Sequence, residues 1–175
     1  MERHARSAVH RVTVVNHCSI VIDRSPERTW AELEAEYGAG IGFARAGYKL
    51  EALNEPAFPL GGYRLWREQN GGIDERICRI TEREASAMRI SMRADYLSPD
   101  ARNMTVFTTF QALRAGATAE FHLDCHSTFD LDVGANASRD DVARAVVQLG
   151  DHFDRGIAQG VSRLKARIEA ASAAE

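Results

Sequence analysis

Apolar residues recur at three- and four-residue steps over 138–171: Val142, Val146, Leu149, Phe153, Ile157, Val161, Leu164 and Ile168. This spacing gathers them on one face of a 3.6-residue period and predicts one long amphipathic helix closing the chain. Ser138 suits its N-cap. Asp140 and Asp141 sit where the helix dipole favours negative charge, and Lys165 and Arg167 stand near the other end. Gly156 and Gly160 interrupt the apolar side, each at a cost of roughly 0.8–1.0 kcal/mol against alanine. They mark either space left beneath the helix or a close crossing of helix and strand.

Upstream the period changes. Val12, Val14, Val15, Ile20, Val21 and Ile22 predict a strand over 11–23, ended by Asp23-Arg24-Ser25-Pro26. Ser25 and Pro26 then open a helix whose buried stripe is Trp30, Leu33 and Tyr37. Gly38, Gly40 and Gly42 end that helix and leave a half-helical link. Six further strands are predicted near 48–53, 62–68, 73–81, 85–94, 104–113 and 117–131. Breaks fall at Asn54-Glu55-Pro56 through Pro59, Asn70-Gly71-Gly72, Glu82-Arg83-Glu84, Ser98-Pro99-Asp100 and Ala115-Gly116. Short turns make these neighbours antiparallel, and a terminal helix of about 30 residues, roughly 45 Å long, needs a matching apolar surface. The expected class is α+β: a seven-stranded curved antiparallel sheet around a long C-terminal helix, in the order strand, helix or two, six strands, helix. A sheet bent around one helix leaves space between the two.

At 175 residues and 45% hydrophobic, a single domain over 12–172 is expected after a polar, disordered tail over 1–11. A net charge of −3 offers no broad field for nucleic acid or anionic lipid. No apolar run is long enough for a membrane span, and the first eleven residues lack a signal-peptide core. Cys18, Cys78 and Cys125 are widely spaced without C-x-x-C. They read as reduced thiols of a cytoplasmic protein, with neither disulfide frame nor zinc site. No cofactor motif occurs: G-x-G-x-x-G, Walker loop, H-E-x-x-H and G-x-S-x-G are all absent.

Three segments carry a resemblance. Ile20 through Trp30 resembles a strand followed by a Ser-Pro helix entry that ends in tryptophan. Gly62-Tyr63-Arg64 with Gly72-Ile73-Asp74-Glu75-Arg76-Ile77 resembles a "GxR…GxxxER" pair of strands, and Phe153, Ile157, Leu164 and Lys165 resemble a closing amphipathic helix. In this order, over about residues 12–170, the chain resembles the START/SRPBCC superfamily of polyketide cyclase/dehydrase-like proteins, whose shared architecture is the helix-grip fold. The resemblance implies that fold and a small hydrophobic partner. It does not choose among carriers, receptors, cyclases and oxygenase subunits. Gly38-Ala39-Gly40-Ile41-Gly42-Phe43 departs from the aromatic second helix of many relatives.

Candidate chemistry follows from these placements. Glu120, His122, Asp124 and His126 alternate and share one strand face. His122 and His126 lie about 13 Å apart at ~3.3 Å per residue, too far for one zinc ion. A Glu120–His122 dyad, about 6.6 Å along the strand, suits acid–base work. The opposite face holds Ala119, Phe121, Leu123, Cys125 and Phe129, which places the polar row toward solvent or a partner subunit in a homodimer. Alignment with the superfamily places His122 inward instead. Arg64 and Glu75 match the family's arginine and glutamate and are either pocket groups or a cross-strand ion pair. Tyr48, Trp66 and Tyr96 are candidate cavity walls, with Met88 and Met92 as adaptable lining. Phe153, Gly156, Ile157 and Gly160 would face the same space from the helix. The expected function is binding of a small hydrophobic or amphipathic ligand between sheet and helix. The alternative is cyclase or dehydratase chemistry there, using His122, Glu120, Glu75 and Arg64.

Overall fold

The computed structural model describes residues 9–69, 71–134 and 136–171. Asn70, residues 1–8 of the expected tail, and residue 172 at the expected domain end lie outside that set. The elements are β1 (Val9–Ile22), α1 (Pro26–Leu33), a π-helical turn Glu34–Gly38, α2 (Ile41–Arg45), β2 (Lys49–Ala52), β3 (Gly62–Gln69), β4 (Gly72–Glu84), β5 (Arg89–Tyr96), a 3₁₀ turn Pro99–Ala101, β6 (Thr105–Ala115), β7 (Thr118–Asp132) and α3 (Arg139–Ala170). One antiparallel sheet runs β1-β7-β6-β5-β4-β3-β2. This is the expected helix-grip order.

Local chemistry sets the ends of these elements. The Ser25 side chain caps α1 through the Arg28 N–H, with Pro26 in the first turn. Ser138 and Asp141 form a capping box on α3. Two boundaries differ from the pattern. Val9 and His10, expected in the tail, pair with Asp132 and Leu131. Glu82-Arg83-Glu84, read as a break, belongs to β4. A bulge between Ile80 and Glu82 lets the strand continue, and an Arg89–Glu82 ion pair ties it to β5. The turn falls instead at Ala85–Met88, with Met88 at φ 49°.

Period-2 alternation assigns the faces. Ile22, Tyr63, Leu65, Cys78, Ile80, Ile90, Met92, Phe110, Phe121 and Leu123 are buried on the concave face, with Trp30 and Leu33 of α1. Along α3, Ile157, Val161, Leu164 and Ile168 join this core. Val142, Val146, Leu149 and Phe153 pack with Val14, Phe129 and Leu131 in a second cluster. The helix therefore lies along β1, while the π-helical turn packs on β5 and α2 on β2.

Candidate functional site

Asp74 and Arg76 of β4 share the parity of buried Cys78 and Ile80, so they belong to the concave face. Charged groups there need partners, and both have them. Arg76 donates to both oxygens of Asp74, from Nε to Oδ1 at 3.1 Å and from Nη2 to Oδ2 at 2.7 Å. Its Nη2 also donates to the Tyr48 hydroxyl at 2.9 Å, and that hydroxyl donates to Asp74 Oδ2. The guanidinium lies 4.4 Å from the Tyr96 ring centroid and 5.3 Å from that of Tyr48. Arg67 covers Tyr48 at 4.4 Å, and its Nε is 4.0 Å from Asp74 with no hydrogen bond of its own.

This network sets the charges. Burial pushes the Asp74 carboxyl upward, but hydrogen bonds from Arg76 and Tyr48 and the two arginine charges outweigh it and hold it below its ordinary range. Burial, reinforced by the bond to Asp74, pushes the Tyr48 phenol up to about 12. Burial opposes the charge on Arg76, but the Tyr96 and Asp74 fields reverse that and raise its value. Two arginines thus surround the Asp74 carboxylate. Among the described residues, Arg76 is the one cationic hydrogen-bond donor bordering the adjacent hollow, whose other charged residues are Asp74 and Asp100.

Asp74, Arg76 and Tyr96 border a hollow of about 760 Å³. Its remaining walls come from the β3–β4 turn at Gly71–Ile73 and from Pro99, Asp100, Ala101 and Met104 between β5 and β6. No α3 residue borders it. A second hollow of about 440 Å³ lies between α3 and the segment from Glu36 to Ala46, with Gly160 in its wall.

The residues expected from sequence divide accordingly. Tyr96 borders the first hollow and Tyr48 stands behind it through Asp74 and Arg76. Gly160 borders the second. Met92 is part of the core, with Met88 and Ile157 packed against it, so neither methionine is free lining. Phe153 packs 6.0 Å from Phe129 in the smaller cluster. Gly156 is exposed, and a Cβ there would meet nothing within 4 Å.

Arg64, Trp66 and Glu75 are corrected. They alternate with Tyr63, Leu65 and Asp74 and so occupy the convex face. There Arg64 donates to Glu75 at 2.7 Å and covers the Trp66 ring at 5.2 Å. Glu120 and His122 are corrected for the same reason, because Ala119, Phe121 and Leu123 take the concave positions. The two approach to 3.2 Å on the convex face, in an alignment that makes no hydrogen bond. Beside them His17 pairs with Asp124 at 2.7 Å. Every acid–base group proposed from sequence therefore lies on the face opposite the hollows. Asp74, Arg76 and Arg67 were missed because charged strand residues default to the solvent face. Their parity matches Cys78 and Leu65, but only the β3–β4 register shows that this parity faces inward.

Among the described residues no three His, Cys, Asp or Glu side chains are grouped to hold a metal, all three cysteines are free, and no helix is long and apolar enough to cross a membrane.

No family model and no curated protein matches the sequence. Solved structures match its fold. The chain is similar to the ZhuI aromatase/cyclase of Streptomyces sp. R1128, at 16% identity and TM-score 0.62, over 90% of this chain and 94% of that one. It is similar to Ara h 8.0201 at 7% identity and TM-score 0.61, over 94% and 100%. It is also similar to norcoclaurine synthase of Thalictrum flavum in complex with dopamine and hydroxybenzaldehyde, at 11% identity and TM-score 0.57, over 90% and 87%.

Proposed function

We propose that this chain, which has the helix-grip fold of the START/SRPBCC superfamily, binds a small amphipathic molecule in the hollow beside Arg76. The single observation that carries the reading is a charged, aromatic-stacked guanidinium held by Asp74 at the edge of about 760 Å³ of space. That volume falls in the range of about 300–1,000 Å³ typical of small-molecule sites. Tyr96 and Met104 offer apolar surface for the body of the ligand. Arg76 offers donors to a carbonyl, phenolate or carboxylate oxygen. The norcoclaurine synthase complex, which holds a phenolic amine and a phenolic aldehyde, supports an oxygenated aromatic compound as the ligand class.

Binding is favoured over acid–base catalysis because Glu120, His122 and Glu75 lie on the convex face, away from the hollow. The test is titration with 1-anilinonaphthalene-8-sulfonate, an aromatic anion, read by fluorescence. In a chain carrying Gly160→Leu, which fills the second hollow, the dye should still bind, and adding Ala101→Trp, which places an indole in the first hollow, should abolish the signal while circular dichroism stays unchanged. A double variant that binds the dye as tightly as Gly160→Leu alone would refute the site.

A further inference from the structure

The second hollow has a chemistry of its own. Its floor is apolar, made by Phe43 and the buried Leu164, and Gly160 leaves its helical wall open, with nothing within 4 Å of a Cβ built there. Its rim holds Arg45, Arg163 and Arg167 against the one carboxylate of Glu36. Glu36 Oε2 is shared, accepting from Arg45 at 3.3 Å and also from Arg167, which reaches Glu32 as well at 3.2 Å. Arg163 has no hydrogen bond or ion pair among the described residues. It stands four residues before Arg167, a spacing at which like charges repel on a helix.

The opposite wall is the glycine-rich link. Gly40 and Gly47 hold positive φ of 73° and 86° at either side of α2. A Cβ on Gly42 would meet Glu36 Oε1 at 2.1 Å, so a side chain there would displace the Glu36 carboxylate from its present position. The link that departs from the superfamily pattern thus builds a wall for a cationic, apolar-floored recess.

We infer that this recess is a second ligand site, which takes a monoanionic amphiphile with its tail on Phe43 and Leu164 beside Gly160 and its head on Arg163. An anion there completes the coordination of Arg163 and relieves its repulsion with Arg167. The site shares no bordering residue with the hollow beside Arg76.

Decanoate, with decanol as its uncharged counterpart, tests this by calorimetry and amide chemical-shift mapping. Decanoate should shift Gly42, Phe43 and Gly160 and bind more tightly than decanol. Arg163→Gln should weaken it by about tenfold or more, the loss expected for one charge-assisted hydrogen bond. Gly160→Leu should abolish it by filling the recess. Decanoate should still bind with the parent affinity in a chain carrying Ala101→Trp, in which the first hollow is blocked, so failure of one site is separable from failure of the other. Parent affinity in Arg163→Gln, decanol binding as tightly as decanoate, or shifts confined to Asp74, Tyr96 and Met104 would each overturn the assignment.

Discussion

Replacing Asp74 by asparagine keeps the side-chain volume and one acceptor oxygen but removes the charge that Arg76 and Arg67 surround. Asp74 and Arg76 are 20% and 19% exposed, so the guanidinium left behind is mostly desolvated. Removing one partner of a buried ion pair costs about 3–5 kcal/mol. The remaining solvent contact and the retained acceptor reduce this to roughly 2–3 kcal/mol, or about 4–12 °C in Tm for a domain of this size. Urea unfolding followed by the fluorescence of buried Trp30 measures it at pH 7. The pH dependence supplies an independent check. The folded-state value of Asp74 is depressed, so its contribution is complete above the unfolded value of about 3.9 and is lost as pH falls through the folded value. The gap between parent and Asp74→Asn should therefore close in acid. Pairing Asp74→Leu with Arg76→Met removes both charges and should recover part of the loss. A gap under about 0.5 kcal/mol at pH 7, or one that persists in acid, would show that the network behaves as exposed surface pairs.

Three further outcomes follow from the same geometry. Gly156→Ala should stabilise the chain by about 0.8–1.0 kcal/mol in urea unfolding, because the position is exposed and a Cβ meets nothing; destabilisation would mean that the helix crosses something closely there. Gly62→Ala should destabilise by about 1–3 kcal/mol or more, since its Cβ would lie 2.2 Å from the Cys78 carbonyl oxygen and 3.0 Å from Arg79 Cα, and an unchanged urea midpoint would contradict that contact. Glu120→Gln with His122→Gln should leave dye binding within twofold of the parent, and loss of binding would return that pair to the site.

Much of this architecture was legible before folding was considered. The α3 stripe from Val142 to Ile168 packs as its spacing requires, and the Ser25 and Ser138 caps stand at their helix starts. The face of β7 stood open between two arguments, the apolar row and the alignment that turned His122 inward; the fold buries Phe121, Leu123 and Cys125, because a buried apolar row is worth more than one matched position. The site was harder to read. In β4 the apolar residues Ile73, Ile77, Cys78 and Ile80 fall on both parities, so local pattern does not choose the face on which Asp74 and Arg76 lie.

By itself the sequence determined the element order, the sheet and the closing helix, because alternation, helical periodicity and capping are local properties. Tertiary structure alone decided where space remained. Packing α3 along β1 left a hollow beside the β3–β4 turn that the helix does not border, and the glycine link set Glu36 and Arg45 across from Arg163. A hollow is a relation among elements distant in the chain, and the charges that border it owe their partners to strand register and helix placement. No single segment encodes either.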